Sequence, residues 1–290
     1  MILKKEIEKV SLQKGVAKSI IDKDWVLGHF IDAIYSVPES RQDLMFKGGT
    51  CLRKCRFPDY RFSEDLDFTS VNPDFDLGRV LLSRIVKIVT NRTEIPLFIK
   101  ELEELKSDDK RTGFAAIVKF WGADHPKNQS PPPPARWTSS IKIEIILYEK
   151  ILFEPDYLEV IHEYSDSLSE AAKAIPCYSI TEVLAEKLRA LVQRSYSAPR
   201  DFYDIWYLSN HGTEFNWNEI VAAFHQKMKF KGLEFTGVDQ MINPENDRRL
   251  KAAWQNSLVH QVKSEFLPEY KLVRDEIKGL LDELFGSIPN

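Results

Sequence analysis

Residues 62–69 read Phe62-Ser63-Glu64-Asp65-Leu66-Asp67-Phe68-Thr69, and the fold is decided in this stretch. Its side chains alternate, with Ser63, Asp65, Asp67 and Thr69 on one face and Phe62, Glu64, Leu66 and Phe68 on the other, the two-residue period of a strand. Carboxylates at i and i+2 of a strand point the same way with Cα atoms roughly 7 Å apart. Unpaired, they repel. Hard oxygen donors of this kind suit Mg²⁺ or Mn²⁺, and shared carboxylates are what two-metal phosphoryl chemistry requires. Solvated aspartates on an exposed strand would leave the same pattern, so the flanking sequence has to distinguish the two readings.

Upstream, Leu44-Met45-Phe46 is a short apolar run stopped by Gly48-Gly49, and Thr50-Cys51-Leu52-Arg53-Lys54 has the character of a helix start. A strand, glycine turn and helix in that order can present bare backbone N–H groups to phosphate oxygens, although a plain tight turn has the same composition. Residues 16–36 carry apolar side chains at three-and-four spacing and predict a helix ending before Pro38. Downstream, a helix over 77–90 and apolar runs at 114–121 and 141–147 complete an α/β (α+β) pattern. In Ile141-Lys142-Ile143-Glu144-Ile145-Ile146-Leu147 the odd positions are wholly apolar, which leaves Glu144 as a lone acid in mid-strand. It is either a third carboxylate for the Asp65/Asp67 cation or the partner of a Lys or Arg at a sheet edge. Residues 122–138 contain four consecutive prolines and are expected to form a stiff, exposed hairpin connection.

Strand patterning fades near residue 155, which predicts a sheet domain over 1–155 and a helical domain over 156–290. Ser179-Ile180-Thr181-Glu182 fits a capping box at the head of a helix. On that helix Leu184, Lys187, Leu188, Leu191 and Arg194 share one side, so Lys187 interrupts an apolar stripe. Such a lysine either meets an anion or snorkels to the edge of the stripe. A further helix starts near Pro199, where Asp201 and Asp204 are neighbours one turn apart. Asp201 suits an N-terminal dipole role, whereas Asp204 lies deeper and could pair with Lys187. Two or three more helices are expected over 216–286, with 233–248 less regular. Lys227-Met228-Lys229-Phe230-Lys231 and Arg248-Arg249 fit either a solvated helical face or contact with an RNA backbone.

Composition narrows the classes. With 290 residues, 43% hydrophobic and 11% aromatic, the chain can build real cores. Its 40 Lys plus Arg against 44 Asp plus Glu give a net charge of −4, so no general basic coat advertises nucleic acid. The charged opening and the lack of any long apolar run predict a cytoplasmic protein without a membrane span. Cys51, Cys55 and Cys177 make no even disulfide framework and read as reduced, packed thiols, and the six histidines show no ligand spacing.

The sequence Lys47-Gly48-Gly49-Thr50-x-Leu52-x-Lys54, followed by Arg61-Phe62-Ser63-Glu64-Asp65-Leu66-Asp67-Phe68, resembles the nucleotidyltransferase toxins of the AbiEii/AbiGii family, which includes the MenT toxins. The likeness extends to Lys187 in Ala185-Glu186-Lys187-Leu188 and to Arg200-Asp201-Phe202-Tyr203-Asp204. It implies a polymerase-beta-like nucleotidyltransferase domain followed by a helical domain, acting as the toxin of a toxin–antitoxin or abortive-infection system. It further implies an NTP substrate, Mg²⁺ or Mn²⁺ on Asp65, Asp67 and Glu144, and nucleotide contacts from Gly48, Gly49, Thr50, Lys54 and Ser63. Lys187, with Arg194 in support, is implied at an NTP phosphate, and an aspartate of the Asp201/Asp204 pair is implied to be required. The acceptor implied is the 3′ end of tRNA, and a cognate antitoxin is the implied partner.

Overall fold

A computed structural model describes residues 2–126, 128–194, 198–211 and 215–286; Lys127 of the proline-rich connection lies outside the described residues. The chain forms two compact units, one of Met1–Glu149 with Pro155–Cys177 and one of Lys150–Glu154 with Tyr178–Asn290.

The first unit opens with three helices, α1 (Lys4–Lys14), α2 (Lys18–Tyr35) and α3 (Pro38–Asp43), with Pro38 at the start of α3, where its missing N–H costs nothing. They lead into β1 (Leu44–Lys47), then the short α4 (Gly48–Cys51) and one wider π turn, Leu52–Arg56. β2 (Asp65–Ser70), α5 (Arg79–Thr93), β3 (Leu97–Ser107), β4 (Lys110–Phe120) and β5 (Ser140–Ile146) follow. Two three-residue strands, β6 (Asp156–Leu158) and β7 (Ile175–Cys177), complete a seven-stranded mixed sheet of order β3-β4-β5-β2-β1-β7-β6. β2 and β5 are parallel neighbours at its centre, and β1 runs antiparallel to β2.

One face of this sheet is apolar. Phe46 of β1, Leu66 and Phe68 of β2, and Ile143 and Ile145 of β5 are each at most 1% exposed. Phe46 stacks on Phe68 with ring centroids 5.1 Å apart, and Tyr35 of α2 lies 6.1 Å from Phe68. The core of the unit therefore fixes which side chains of β2 and β5 turn away from it, since adjacent residues of a strand point to opposite faces.

Several boundaries differ from those read in the sequence. β2 begins at Asp65 rather than Phe62, so Phe62-Ser63-Glu64 approach the sheet without joining its ladder. The change from sheet to helices falls after Cys177 rather than at 155, because three-residue β6 and β7 are too short to show a period. The proline-rich connection does join β4 to antiparallel β5, and Trp137 anchors its end by donating from Nε1 to the Pro132 carbonyl at 2.7 Å.

The second unit consists of helices α6 (Ile180–Gln193), α7 (Pro199–His211), α8 (Trp217–Phe230), α9 (Pro244–Leu258) and α10 (Tyr270–Phe285). Ser179 caps α6, its hydroxyl accepting from the Glu182 N–H at 3.1 Å. The box is not closed by Glu182. Its carboxylate accepts instead from the N–H groups of Leu152 at 2.9 Å and Phe153 at 3.0 Å, and pairs with the fully buried Lys227. One buried carboxylate thus fastens 150–154 to the helices, which explains why those five residues belong to this unit.

Candidate active site

The acidic face of β2 is positioned by sheet register. Asp67 lies opposite Lys47 of β1 on one side and Glu144 of β5 on the other, and Glu144 lies opposite Ala115 of β4. Residues in register point to the same face, so Lys47, Asp67 and Glu144 form one row across three central strands, with Cα spacing near 5 Å. Asp65 and Lys142 form the next row. The structure thus brings together Asp65, Asp67 and Glu144.

The acids on this face repel one another. Burial pushes the Asp67 carboxyl up to about 6; Lys47 and Lys142 pull it down, and Asp65 and Glu144 add to the rise. Glu144 accepts from Lys142 Nζ at 2.6 Å, and that hydrogen bond raises the lysine above its ordinary value. The Lys partner foreseen for Glu144 is therefore present, but on a central strand. All donors on this face are hard carboxylate oxygens, and a half-buried aspartate flanked by two more acids favours a cation that satisfies them together; the residues fit a Mg²⁺- or Mn²⁺-class ion. The ligand oxygens of Asp65, Asp67 and Glu144 do not all lie within 4.8 Å of one another. Among the described residues, the three-donor groups already within 4.8 Å of one another are Cys51/Cys55/Cys177 and His29/His162/Asp166.

The glycine turn lies directly against β2. Gly48 has φ +78°, the left-handed region that side chains resist, and a Cβ built on it would come 2.3 Å from Asp67 Oδ2. Only glycine lets the turn lie this close to the carboxylate. Thr50 ties the turn down by donating from Oγ1 to the Asp65 carbonyl at 2.5 Å. A Cβ on Gly49 would meet Arg61 Nη2 at 2.8 Å and Ser63 Oγ at 3.1 Å, so both of these side chains pack on the turn. Arg61, 5% exposed, was not singled out by spacing because a residue outside any regular element leaves no period.

Lys54 is placed elsewhere. Its ammonium lies 2.9 Å from Asp24 Oδ2 of α2, and Asp24 also accepts from the Tyr164 hydroxyl at 2.9 Å. Lys54 and Arg53 together outweigh burial and hold the Asp24 carboxyl below its ordinary value. A nucleotide contact by Lys54 would require it to leave that buried pair.

In the second unit, Lys187 of α6 does meet anions. Its Nζ lies 2.6 Å from Asp204 Oδ2 and 3.0 Å from Asp201 Oδ1, both on α7, and Arg194 also pairs with Asp201. Asp204 is fully buried and Asp201 7% exposed, so the deeper aspartate holds the lysine and the shallower one is shared with Arg194.

The histidine cluster was invisible in the sequence because His29 and His162 are separated by 133 positions, 162 − 29. Asp166 lies 3.1 Å from His29 Nε2, 2.9 Å from His162 Nε2 and accepts from Trp25 Nε1 at 3.1 Å. Against its own burial, these bonds hold the Asp166 carboxyl well below its ordinary value.

Comparison with known proteins agrees with this architecture. MenT4, a nucleotidyltransferase toxin from Mycobacterium tuberculosis H37Rv, superposes with a TM-score of 0.62 at 16% identity, covering 100% of this chain and 91% of that one. JHP933 from Helicobacter pylori is 18% identical over 91% of this chain and 97% of its own, with a TM-score of 0.44. No curated protein matches the sequence. A mixed seven-stranded sheet with flanking helices is the fold of the nucleotidyltransferase toxins. Residues 29–276 match the family described as "Nucleotidyl transferase AbiEii toxin, Type IV TA system", and the chain belongs to that family of nucleotidyltransferases. Among the described residues no helix is long and apolar enough to cross a membrane.

Proposed function

We propose that this nucleotidyltransferase transfers a nucleoside monophosphate from an NTP to the 3′ end of tRNA, with Mg²⁺ or Mn²⁺ held by Asp65, Asp67 and Glu144. The observation that carries the reading is the row of Lys47, Asp67 and Glu144 in register across β1, β2 and β5, with Gly48 against Asp67. A bound divalent ion would supply charge neutralisation at the phosphates and activation of the attacking hydroxyl.

The remaining steps belong to the chain. Gly48, Gly49 and Thr50 present their backbone to the β- and γ-phosphates, with Ser63 and Arg61 packed behind them. The acceptor hydroxyl attacks the α-phosphorus in line, its proton passes to a carboxylate of the row, and pyrophosphate leaves. Glu144 either completes the cation site or takes this proton, since it can leave Lys142 without breaking the sheet. For the second unit the same reading assigns Lys187 to an NTP phosphate, with Asp204 fixing its ammonium, Asp201 sharing the task and Arg194 in support. The family's toxin character supports a cognate antitoxin as partner and the cytoplasm as the place of action.

The acceptor is tested by incubating the protein with each α-labelled NTP, Mg²⁺, total tRNA and antitoxin-free lysate. Label on full-length tRNA, lost when its 3′ hydroxyl is oxidised by periodate, is the expected result. Label confined to protein or small molecules would overturn the tRNA assignment.

A further inference from the structure

All three cysteines of the chain converge on one point. Cys51 ends α4, Cys55 lies four residues on in the π turn, and Cys177 enters from β7, where it is in register with Phe46 of β1. Their sulfurs lie within 4.8 Å of one another, all are free thiols, and Cys51 and Cys177 are fully buried with Cys55 at 7% exposure. A trigonal ion about 2.3 Å from each sulfur needs sulfurs about 4 Å apart, so closing the triangle moves each sulfur by less than about 1 Å. Among the described residues no His, Asp or Glu joins the group, and the nearby Tyr35 hydroxyl is engaged, donating to the Leu44 carbonyl at 3.1 Å.

We propose that Cys51, Cys55 and Cys177 form a three-coordinate site for a soft monovalent ion of the Cu⁺ class. Thiolates select Cu⁺ and Zn²⁺, and the missing fourth donor decides between them: structural zinc wants four ligands, and with all three cysteines buried bulk solvent is a poor source of one. Each thiolate formed on binding releases a proton to solvent, and the residual negative charge lies beside Lys54 and Arg56. Occupancy would cross-link the turn that follows Thr50 to β7, joining the glycine turn's own helix to the sheet strand beside β1. The site is independent of the carboxylate row and stands whether or not tRNA is the acceptor.

The test is anaerobic titration of the reduced full-length protein with Cu⁺ held by the chromophoric chelator bicinchoninate. The expected result is one equivalent withdrawn per chain, with sulfur-to-copper charge-transfer absorption. Cys177→Ser, shown folded by circular dichroism and melting, should lose affinity by on the order of 100-fold or more, beyond what an outer-shell change costs. Cys55→Ser, the least buried ligand, gives a second variant should Cys177→Ser fail to fold. Copper left on the chelator by the native chain, equal withdrawal by a folded serine variant, or displacement of Cu⁺ by equimolar Zn²⁺ would overturn the proposal.

Discussion

Replacing Gly48 with Ala tests how tightly the turn and the acidic strand are fitted. Alanine at φ +78° costs about 1–2 kcal/mol in backbone strain. The new Cβ would stand 2.3 Å from Asp67 Oδ2 and 3.1 Å from Asp67 Cβ and Cγ, whereas ordinary contact begins at 3.4 Å. The carboxylate must therefore retreat by roughly 1 Å, a displacement that costs about 100-fold in rate when it misplaces a reacting group. The expected outcome is a melting temperature lowered by about 2–8 °C together with a loss of nucleotidyl transfer near 100-fold. Gly49→Ala is the comparison for stability: its φ is not positive and its Cβ meets Arg61 Nη2 and Ser63 Oγ, both side-chain ends, rather than Asp67, so its melting temperature should fall less. Differential scanning fluorimetry and transfer from α-labelled NTP measure both. Gly48→Ala with native melting and transfer within a factor of about two would refute the reasoning, because the contact with Asp67 would then constrain nothing.

Three further outcomes follow from buried charges. Burial raises Asp22 from 3.8 to about 7, although its carboxylate accepts from the Ala123 N–H at 2.8 Å. The folded state then holds this proton where the unfolded chain has lost it, so stability falls as pH rises from about 4 through about 7. The advantage of Asp22→Asn over the native chain should widen by about 3 kcal/mol between pH 5 and pH 8, and a gap independent of pH in urea titrations would contradict this. Lys187→Met strands the fully buried Asp204 at a cost of about 3–5 kcal/mol. Adding Asp204→Asn should recover most of that loss in denaturant melts. Glu182→Ala should free Leu152 and Phe153 from their shared acceptor and remove the carboxylate that holds Lys227, seen as faster amide exchange at 150–154.

What the sequence displayed and what it hid divide along physical lines. β2, β5, α6 and α7 carry strong periods set by one buried face, and the register that follows from them brings Asp65, Asp67 and Glu144 together. Lys187 interrupts the α6 stripe, and in the structure it pairs with Asp201 and Asp204. Long β3, whose face is largely exposed, lacks the apolar alternation that would announce a strand and is held by pairing with β4. The convergence of Cys177 on Cys51 and Cys55, of His29 on His162, and of Lys54 on Asp24 depends on tertiary contacts between distant segments, and spacing in one sequence cannot express that.

The central claim, that Asp65 and Asp67 hold a divalent cation for nucleotidyl transfer, is tested most directly by metal-dependent labelling with α-labelled NTP and tRNA. The account predicts label only when Mg²⁺ or Mn²⁺ is added. It predicts that Asp65→Ala and Asp67→Ala, each melting near the native temperature, transfer none. Undiminished transfer by either folded variant, or transfer in excess chelator, would contradict it.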